Sequence, residues 1–159
     1  MVAAMAPDVV MEHPNRATTA ARATRAVVVV LLLVSAALMI VVSVGGWESI
    51  EGAKALQVAL IVAYLGMAVL VAGWSRGVLP VAAALGVLVA IFAVVAAPGW
   101  YARDSDGFVD PALSSDVLGL LTALLVPLQA LLVAVAMRAF QQRWNVAVER
   151  PVDGAPAAA

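Results

Sequence analysis

The sequence predicts an all-α fold, an integral membrane four-helix bundle with both termini in the cytoplasm. Three observations support this prediction. The chain has 159 residues, of which 65% are hydrophobic and 12% charged, whereas soluble domains carry about 25% charged residues. Its arginines gather on one side of the predicted spans. Four stretches contain no Asp, Glu, Lys, Arg or His, namely residues 26–47, 55–75, 77–102 and 117–137.

Each of these stretches is long enough to cross a bilayer. A helix rises about 1.5 Å per residue, so about 20 apolar residues cross a hydrocarbon core of about 30 Å. An open strand would leave its backbone polar groups unpaired in lipid, so each span should be helical. We therefore predict a polar N-terminal tail (1–25), a transmembrane domain (26–144) and a disordered C-terminal tail (145–159). The spans are expected near residues 26–45, 55–74, 78–97 and 117–137.

The composition excludes several classes of chemistry. Cysteine is absent, which removes disulfides, thiolate catalysis, Cys-ligated zinc and iron–sulfur clusters. The single histidine, His13, lies in the N-terminal tail, so no His-ligated haem or proton relay is expected within the bilayer. The net charge of −1 gives no basic field for nucleic acid. We predict a chain without cofactor, enzymatic activity or nucleic-acid partner, embedded in lipid.

The first span follows a polar tail, and residues 18–25 can extend its helix into water. A secretory signal peptide is the alternative, with Arg22 and Arg25 as its basic flank and cleavage near Gly45. The apolar core and the preceding tail are both long for a signal peptide, so a retained span is favoured.

Short connections define the middle spans. Gly45 and Gly46 end the first span, and the three residues 75–77 join spans two and three as a tight antiparallel hairpin. Pro80 falls in the first turn of span three, where its missing N–H costs little. We expect Pro98 and Gly99 to end span three and to open the long outer loop, residues 98–116.

Span four is preceded by candidate capping residues. Asp116 follows two serines and suits a helix N-terminus electrostatically. The helix can continue beyond residue 137 through residues 138–144.

The positive charges predict the orientation. If both termini are cytoplasmic, the opposite side holds only Lys54 and Arg103, a clear positive-inside bias. The cytoplasmic side then holds Arg16, Arg22, Arg25, Arg76, Arg138, Arg143 and Arg150. Four tryptophans follow the ends of the spans, and indole rings favour the headgroup level. We interpret them as interface anchors, namely Trp47, Trp74, Trp100 and Trp144.

Small residues predict where helices approach closely, because burial does not drive helix association in lipid. The best candidate seam joins spans two and three. Its two stripes have i, i+4, i+8 spacing and comprise Ala55, Ala59 and Ala63 on span two, and Ala82, Gly86 and Ala90 on span three. Span four offers two further pairs, Gly119 with Ala123 and Ala130 with Ala134. A stripe that stays unpaired can serve a homo-oligomer or a partner protein.

Charged groups at membrane depth usually mark pumps and ion paths, and the spans contain none. A possible midplane polar site remains, formed by Tyr64, Thr122, Pro127 and Gln129. Pro127 removes a helix hydrogen bond and predicts a kink. A broken helix beside polar side chains can line a small cavity, as in transporters. The simpler interpretation is that Gln129 and Tyr64 bond across helices as packing contacts.

The outer loop carries Asp104, Asp106 and Asp110 around Gly107. This spacing is similar to part of a calcium loop, although the full pattern and its closing Glu are missing. Asp-Gly and Asp-Pro pairs are also ordinary turn sequences. The three aspartates are thus weak candidates for a cation site.

Three short segments carry a resemblance to a known group. Residues 126–129 (VPLQ), followed by 137–140 (MRAF) and 144–146 (WNV), resemble the last span and tail of small four-span membrane proteins of high-GC bacteria. The resemblance covers roughly residues 117–150. It implies the four-span topology and no catalytic residue.

Three functional hypotheses follow. The leading one is a non-enzymatic accessory or scaffolding subunit of a complex in the plasma (inner) membrane. The second is a small uncoupled transporter or channel with a midplane site near Pro127 and Gln129. The third is an outward-facing cation sensor that uses the acidic loop 98–116.

Overall fold

A computed structural model of the chain describes residues 9–50, 52–104 and 111–151. Four long helices dominate it, each long and apolar enough to cross a membrane. They are α2 (Thr19–Gly45), α3 (Lys54–Ala72), α4 (Val78–Tyr101) and α5 (Ser115–Gln141), and a single turn, α1 (Pro14–Ala17), precedes them. The four predicted helices are therefore confirmed. Helices α2, α4 and α5 are longer than the predicted spans, whereas α3 agrees with its span to within two residues.

The start of α2 illustrates why the helices extend. Thr18 caps the helix, and its hydroxyl accepts a hydrogen bond from the Ala21 N–H at 3.2 Å. Such a cap satisfies one of the free N–H groups of the first turn. The helix thus begins at Thr19 and carries Arg22 and Arg25 on its first two turns.

The end of α4 differs from the prediction that Pro98 and Gly99 stop the helix. The helix continues through Pro98 to Tyr101, and a 3₁₀ turn follows at Ala102–Asp104. Trp100 is buried against Val42 and Leu118 in a small apolar cluster. This packing holds the last turn helical although Pro98 removes one backbone hydrogen bond.

The two ends of the described chain pair with each other. Strand β1 (Val9–Glu12) lies antiparallel to strand β2 (Val148–Pro151), with Val10 opposite Arg150. This ribbon differs from the tails without regular structure that are predicted for both segments. Valine recurs in both strands, and β-branched residues favour extended backbone.

The ribbon defines the two ends of the bundle. We call the end that holds the ribbon and the α3–α4 turn, residues 73–77, the terminal end. The opposite loop end holds residues 46–50, which include a 3₁₀ turn at Trp47–Ser49, residues 52–53, and the described residues between α4 and α5, 102–104 and 111–114. Both described chain ends therefore lie on the same side of the bundle.

The helices pack in the spatial order α3, α2, α5, α4. The pair α4 and α5 is the most extensive, and α2 packs against both α3 and α5. In contrast, α3 and α4 touch each other little. The predicted seam between spans two and three is therefore wrong, because a small-residue face indicates close approach but does not specify the partner.

The small residues of α4 are used against α5 instead. Ala82 is fully buried, and a Cβ on Gly86 would lie 3.1 Å from Val133 and 3.5 Å from the Gln129 side-chain oxygen. On α3, Ala55 and Ala59 are exposed on the outside of the bundle.

The pairs predicted on α5 divide in the same way. Gly119 is buried, and a Cβ there would lie 2.7 Å from the Tyr101 ring of α4. Ala130 and Ala134 face outward. The bundle thus uses some of its small residues internally and leaves others on its surface.

Candidate functional site

A chain of three polar side chains crosses the middle of the bundle. The Tyr64 hydroxyl donates to the Gln129 side-chain oxygen at 2.7 Å, and the Gln129 side-chain nitrogen donates to the Ser35 hydroxyl at 2.9 Å. Ser35 in turn donates to the Leu31 carbonyl of its own helix at 2.7 Å. Tyr64, Gln129 and Ser35 are each 0% exposed. We call these three residues the polar network.

The polar network joins three helices, because Ser35 lies on α2, Tyr64 on α3 and Gln129 on α5. Buried polar groups are costly unless they are hydrogen-bonded. Within the part of the chain that the structure describes, no buried side-chain nitrogen or oxygen lacks a hydrogen-bond partner. The hydrogen bonds of the network therefore hold α2, α3 and α5 together, and no charged group takes part in it.

The structure brings two of the four predicted midplane residues together. Tyr64 and Gln129 are bonded to each other, but Thr122 lies two helical turns away and donates to the Leu118 carbonyl at 2.7 Å. Pro127 is exposed on the outer face of α5, away from the network. Helical spacing explains this separation, because residues two apart point to different sides of a helix.

Ser35 was not among the residues predicted for the midplane site. A signal existed, because Ser35 and Ser43 are the hydroxyl-bearing residues of an otherwise apolar span. A polar side chain at that depth needs a partner on its own or a neighbouring helix. Ser43 satisfies this need locally by donating to the Met39 carbonyl at 2.6 Å.

A separate feature lies where α3 and α4 diverge. The short turn holds these two helices together at the terminal end, and toward the loop end they enclose an open apolar groove of about 550 Å³. Side chains from all four long helices line it, including Met39 of α2, Leu60 of α3, Phe92 of α4 and Leu125 of α5. We call this cavity the groove.

The groove continues into a smaller cavity at the loop end. This second cavity has a volume of about 260 Å³ and shares Ile50, Ala96 and Trp100 with the groove. Ser49, Gly99 and Arg103 complete its lining. We call the smaller cavity the mouth, since it places a cation and a polar backbone at the end of an apolar passage.

Two contacts of Arg103 are with other residues of the mouth. Its Nη2 donates to the Ser49 carbonyl at 2.9 Å, and its Cζ lies 5.2 Å from the Trp100 ring centroid. Gly46 allows the Trp100 ring to pack against the end of α2, because a Cβ on Gly46 would collide with that ring.

The terminal end contains a cluster of aromatic and cationic side chains. Trp74 and Trp144 make an edge-on ring contact with centroids 5.2 Å apart. The guanidinium carbon of Arg25 lies 4.3 Å from the Trp74 ring centroid, and that of Arg16 lies 6.0 Å away. Arg16 also donates to the Trp144 carbonyl at 2.9 Å. These cation–π and hydrogen-bonded contacts connect the N-terminal segment to the α3–α4 turn, which holds Trp74, and to the residues after α5, which include Trp144.

A second arginine connects the α3–α4 turn to α5 and its exit. Arg76 donates to the Phe140 carbonyl at 2.8 Å and to the Asn145 side chain at 3.2 Å, and its Cζ lies 4.0 Å from the Phe140 ring centroid. Asn15 donates to the Arg143 carbonyl at 3.0 Å. Residues near the C-terminal strand are thus bonded to the rest of the bundle.

The four tryptophans occupy different environments. Trp144 is 0% exposed and Trp100 is buried, so protein rather than headgroups surrounds these two rings. Trp47 is 39% exposed with the Lys54 ammonium 4.9 Å from its ring centroid, and Trp74 is half-buried. The positions at span ends predicted for these residues hold, but a position at a span end does not determine whether the ring faces lipid or protein.

The predicted cation site falls largely outside the described residues. Asp106 and Asp110 lie in the segment 105–110, and Asp104 is described only as the last residue of a 3₁₀ turn. Among the residues that the structure describes, no group of three or more His, Cys, Asp or Glu side chains is placed to hold a metal ion.

Comparisons of the chain with protein-family models, with curated proteins and with solved structures found no match. Function is therefore inferred from the geometry of the polar network, the groove and the aromatic and cationic side chains at the terminal end.

Proposed function

We propose that this chain is a non-enzymatic integral membrane protein that acts as an accessory or scaffolding subunit of a membrane complex. The observation that supports the proposal is the closed polar network. Its three side chains use their hydrogen bonds on one another and on the backbone. Hydrogen bonds between helices keep the helices of a bundle in fixed positions, which suits a subunit that presents surfaces to a partner.

The exposed face of α3 is the surface that we assign to the partner. Ala55 and Ala59 face outward, and Gly66 has no neighbouring atom within 4 Å of where its Cβ would lie. Small side chains allow a second helix to approach closely in lipid. A partner protein or a second copy of this chain can use that face.

The transport hypothesis receives less support from the same geometry. A midplane solute site needs polar groups that face a cavity, but the hydroxyl of Tyr64 and the amide of Gln129 are bonded to each other and fully buried. The open groove is lined mainly by apolar side chains. Pro127, which the hypothesis placed beside the site, faces outward.

We place the terminal end in the cytoplasm and the loop end outside the plasma membrane. The terminal end carries Arg16, Arg22, Arg25 and Arg76, and positively charged connections remain on the cytoplasmic side. The resemblance to four-span proteins of high-GC bacteria supports the same multi-pass topology.

Co-purification tests the proposed function. A tagged chain is crosslinked gently in its native membrane, extracted in mild detergent and examined for stoichiometric partners, including a second copy of itself. Ala59→Leu should reduce the recovered partner, whereas Val94→Leu, at a position of α4 that is 57% exposed and lies outside the α3 face, serves as the control. A chain that remains alone under these conditions contradicts the proposal.

A further inference from the structure

The uncharged stretch of each long helix ends at an arginine on the terminal end of the bundle. Arg25 directly precedes the first stretch, and Arg138 directly follows the fourth. Arg76 separates the second stretch from the third, so it bounds two helices at once. The uncharged part of a membrane helix lies in hydrocarbon, and its charged neighbours lie among the headgroups. When the helices span a bilayer, these three arginines therefore lie at the level of the lipid phosphates.

Further arginines join these three at the terminal end. Arg16 lies on α1, Arg22 lies near the start of α2, and Arg143 follows α5. They belong to segments that are far apart in the sequence, so no single stretch of the chain shows how many cations gather there. We call the six side chains the arginine belt, namely Arg16, Arg22, Arg25, Arg76, Arg138 and Arg143.

Neutral groups accept the hydrogen bonds of the arginine belt. Arg25 donates to the Ala72 carbonyl at 2.9 Å. The other side-chain hydrogen bonds of the belt also go to backbone carbonyls, apart from one to the Asn145 side chain. Among the residues that the structure describes, no carboxylate forms an ion pair with the belt. The carboxylates described at this end, Glu12 and Glu149, lie on the ribbon strands instead, so they leave the positive charge of the belt unpaired.

Most hydrogen-bond donors of the belt remain available to a ligand. A guanidinium carries five N–H donors. Within the described chain, Arg25 uses only Nη1 and Arg16 only Nε. Arg22, Arg138 and Arg143 are exposed, and the side chain of Arg138 makes no hydrogen bond or ring contact with the described residues. Guanidinium groups match the oxygens of phosphates and carboxylates, so the belt suits an anion of either kind.

Two members of the belt converge on the Trp74 ring. The Arg25 Cζ lies 4.3 Å from the ring centroid, and the Arg16 Cζ lies 6.0 Å from it. Two like charges near one ring repel each other, and an anion beside them relieves that repulsion. Trp74 also has a φ of 66°, a left-handed conformation that is costly for a bulky side chain. This arrangement favours an anion site over a set of cations that merely face water.

We propose that the arginine belt binds the phosphates of anionic phospholipids in the leaflet at the terminal end. The position of Arg25, Arg76 and Arg138 at the ends of the uncharged stretches selects lipid over soluble anions, because lipid phosphates surround the bundle at that level. An anionic membrane surface strengthens binding about fivefold for each basic residue beside a span. The proposal requires the bundle to span a membrane, but it needs no protein partner and does not use the exposed face of α3.

Native mass spectrometry of the full chain in a mild detergent tests the proposal. Phosphatidylglycerol and phosphatidylcholine with identical acyl chains are titrated separately at fixed ionic strength, and the lipid-bound species are quantified. We expect phosphatidylglycerol to bind about tenfold more tightly or better. Added salt should remove most of this preference, because exposed charges are screened.

Variants that each remove one positive charge locate the site. Arg22→Gln and Arg138→Gln should each weaken phosphatidylglycerol binding about fivefold and leave phosphatidylcholine binding unchanged. Lys54→Gln removes the same charge at the start of α3, at the loop end, and should bind as the unmodified chain does. Thermal unfolding in phosphatidylcholine verifies that each variant is folded, which we expect because both substituted arginines are exposed.

Several outcomes would overturn the proposal. Equal affinity for the two lipids, or equal losses in Arg138→Gln and Lys54→Gln, would remove the role of the belt. Inorganic phosphate that displaces phosphatidylglycerol at equal concentration would indicate a site for free phosphate, and tighter binding of soluble polyglutamate would indicate a docking surface for an acidic protein; either result contradicts a lipid site. If an arginine variant does not fold, the lipid comparison with and without salt decides alone. A chain that fails the co-purification test should still bind phosphatidylglycerol, so the two tests are separate.

Discussion

Replacement of Gln129 by leucine tests how much the polar network contributes to the stability of the bundle. The change keeps the approximate size of a fully buried side chain and removes the hydrogen bonds to Tyr64 and Ser35. The Tyr64 hydroxyl then loses its acceptor inside the protein, which costs about 1–3 kcal/mol, and interhelical bonds in membranes contribute about 0.6–2 kcal/mol each. We therefore expect Gln129→Leu to lower the free energy of unfolding by about 2 kcal/mol.

A double-mutant cycle isolates the bond between these two side chains. Tyr64→Phe alone should cost about 1 kcal/mol, because it removes the same bond from the other partner. The double variant should cost less than the sum of the single variants by about 1 kcal/mol, since the orphaned hydroxyl is gone. The free energy of unfolding is measured in mixed micelles by titration with a denaturing detergent.

Ser43→Ala is the matched control for this cycle. The Ser43 hydroxyl is buried like that of Ser35, but it donates to the Met39 carbonyl of its own helix and reaches no other helix. Its removal should change the free energy of unfolding by less than about 0.5 kcal/mol. Strict additivity of Tyr64→Phe and Gln129→Leu, or a control as costly as Gln129→Leu, would refute the role that we give to the network.

Two further predictions concern close packing at the two ends of the bundle. Gly46→Ala should destabilise the chain by about 1–3 kcal/mol, because the new methyl group collides with the buried Trp100 ring. Gly66→Ala should be neutral or stabilising, because the space around Gly66 is open. Melting curves of the two variants compare these effects directly. Trp144→Ala should cost about 3–5 kcal/mol since its ring is 0% exposed, and Trp47→Ala, with a ring 39% exposed, should cost far less. Equal losses at the two tryptophans would indicate a shared headgroup role instead of burial.

The sequence was sufficient to predict the four helices for a physical reason. Lipid leaves no alternative to a helix for an uncharged stretch of that length, so local composition determines the secondary structure. The extension of α2 back to Thr19 also follows from a local signal, the capping threonine. The passage of α4 through Pro98 does not, because it depends on the packing of Trp100 against residues far away in the chain.

The neighbours of each helix were harder to predict. Ala82 and Gly86 of α4 pack toward α5, although the same spacing occurs on α3. Spacing identifies a face that permits close approach, and many faces in an alanine-rich chain meet this condition. The choice among them depends on three-dimensional contacts such as the bond between Gln129 and Ser35, which are ninety-four positions apart.

The candidate sites, too, could be predicted only in part from the sequence. The pairing of Tyr64 with Gln129 was anticipated as a packing contact, because a polar group buried in lipid must find a partner. Ser35 of α2 completes the network without having been predicted as part of it, and Pro127 lies on another face of α5. The groove had no sequence signal, since it arises where α3 and α4 diverge.

The β-ribbon had a weak signal at most. Its strands are four residues each, and their pairing partners lie at opposite ends of the sequence. Short valine-containing segments occur throughout this chain, so composition alone does not identify the two strands. They form because the two segments meet at the terminal end of the bundle.

The four-span topology with both termini in the cytoplasm can be tested directly by cysteine labelling. The chain contains no cysteine, so single cysteines placed at Ala112 in the loop end and at Asn145 in the terminal end can be labelled without background. In intact cells a membrane-impermeant maleimide should label Ala112→Cys, and it should label Asn145→Cys only after the membrane is opened. Labelling of Asn145→Cys in intact cells, or recovery of the chain in the soluble fraction, would contradict a four-span bundle with cytoplasmic termini.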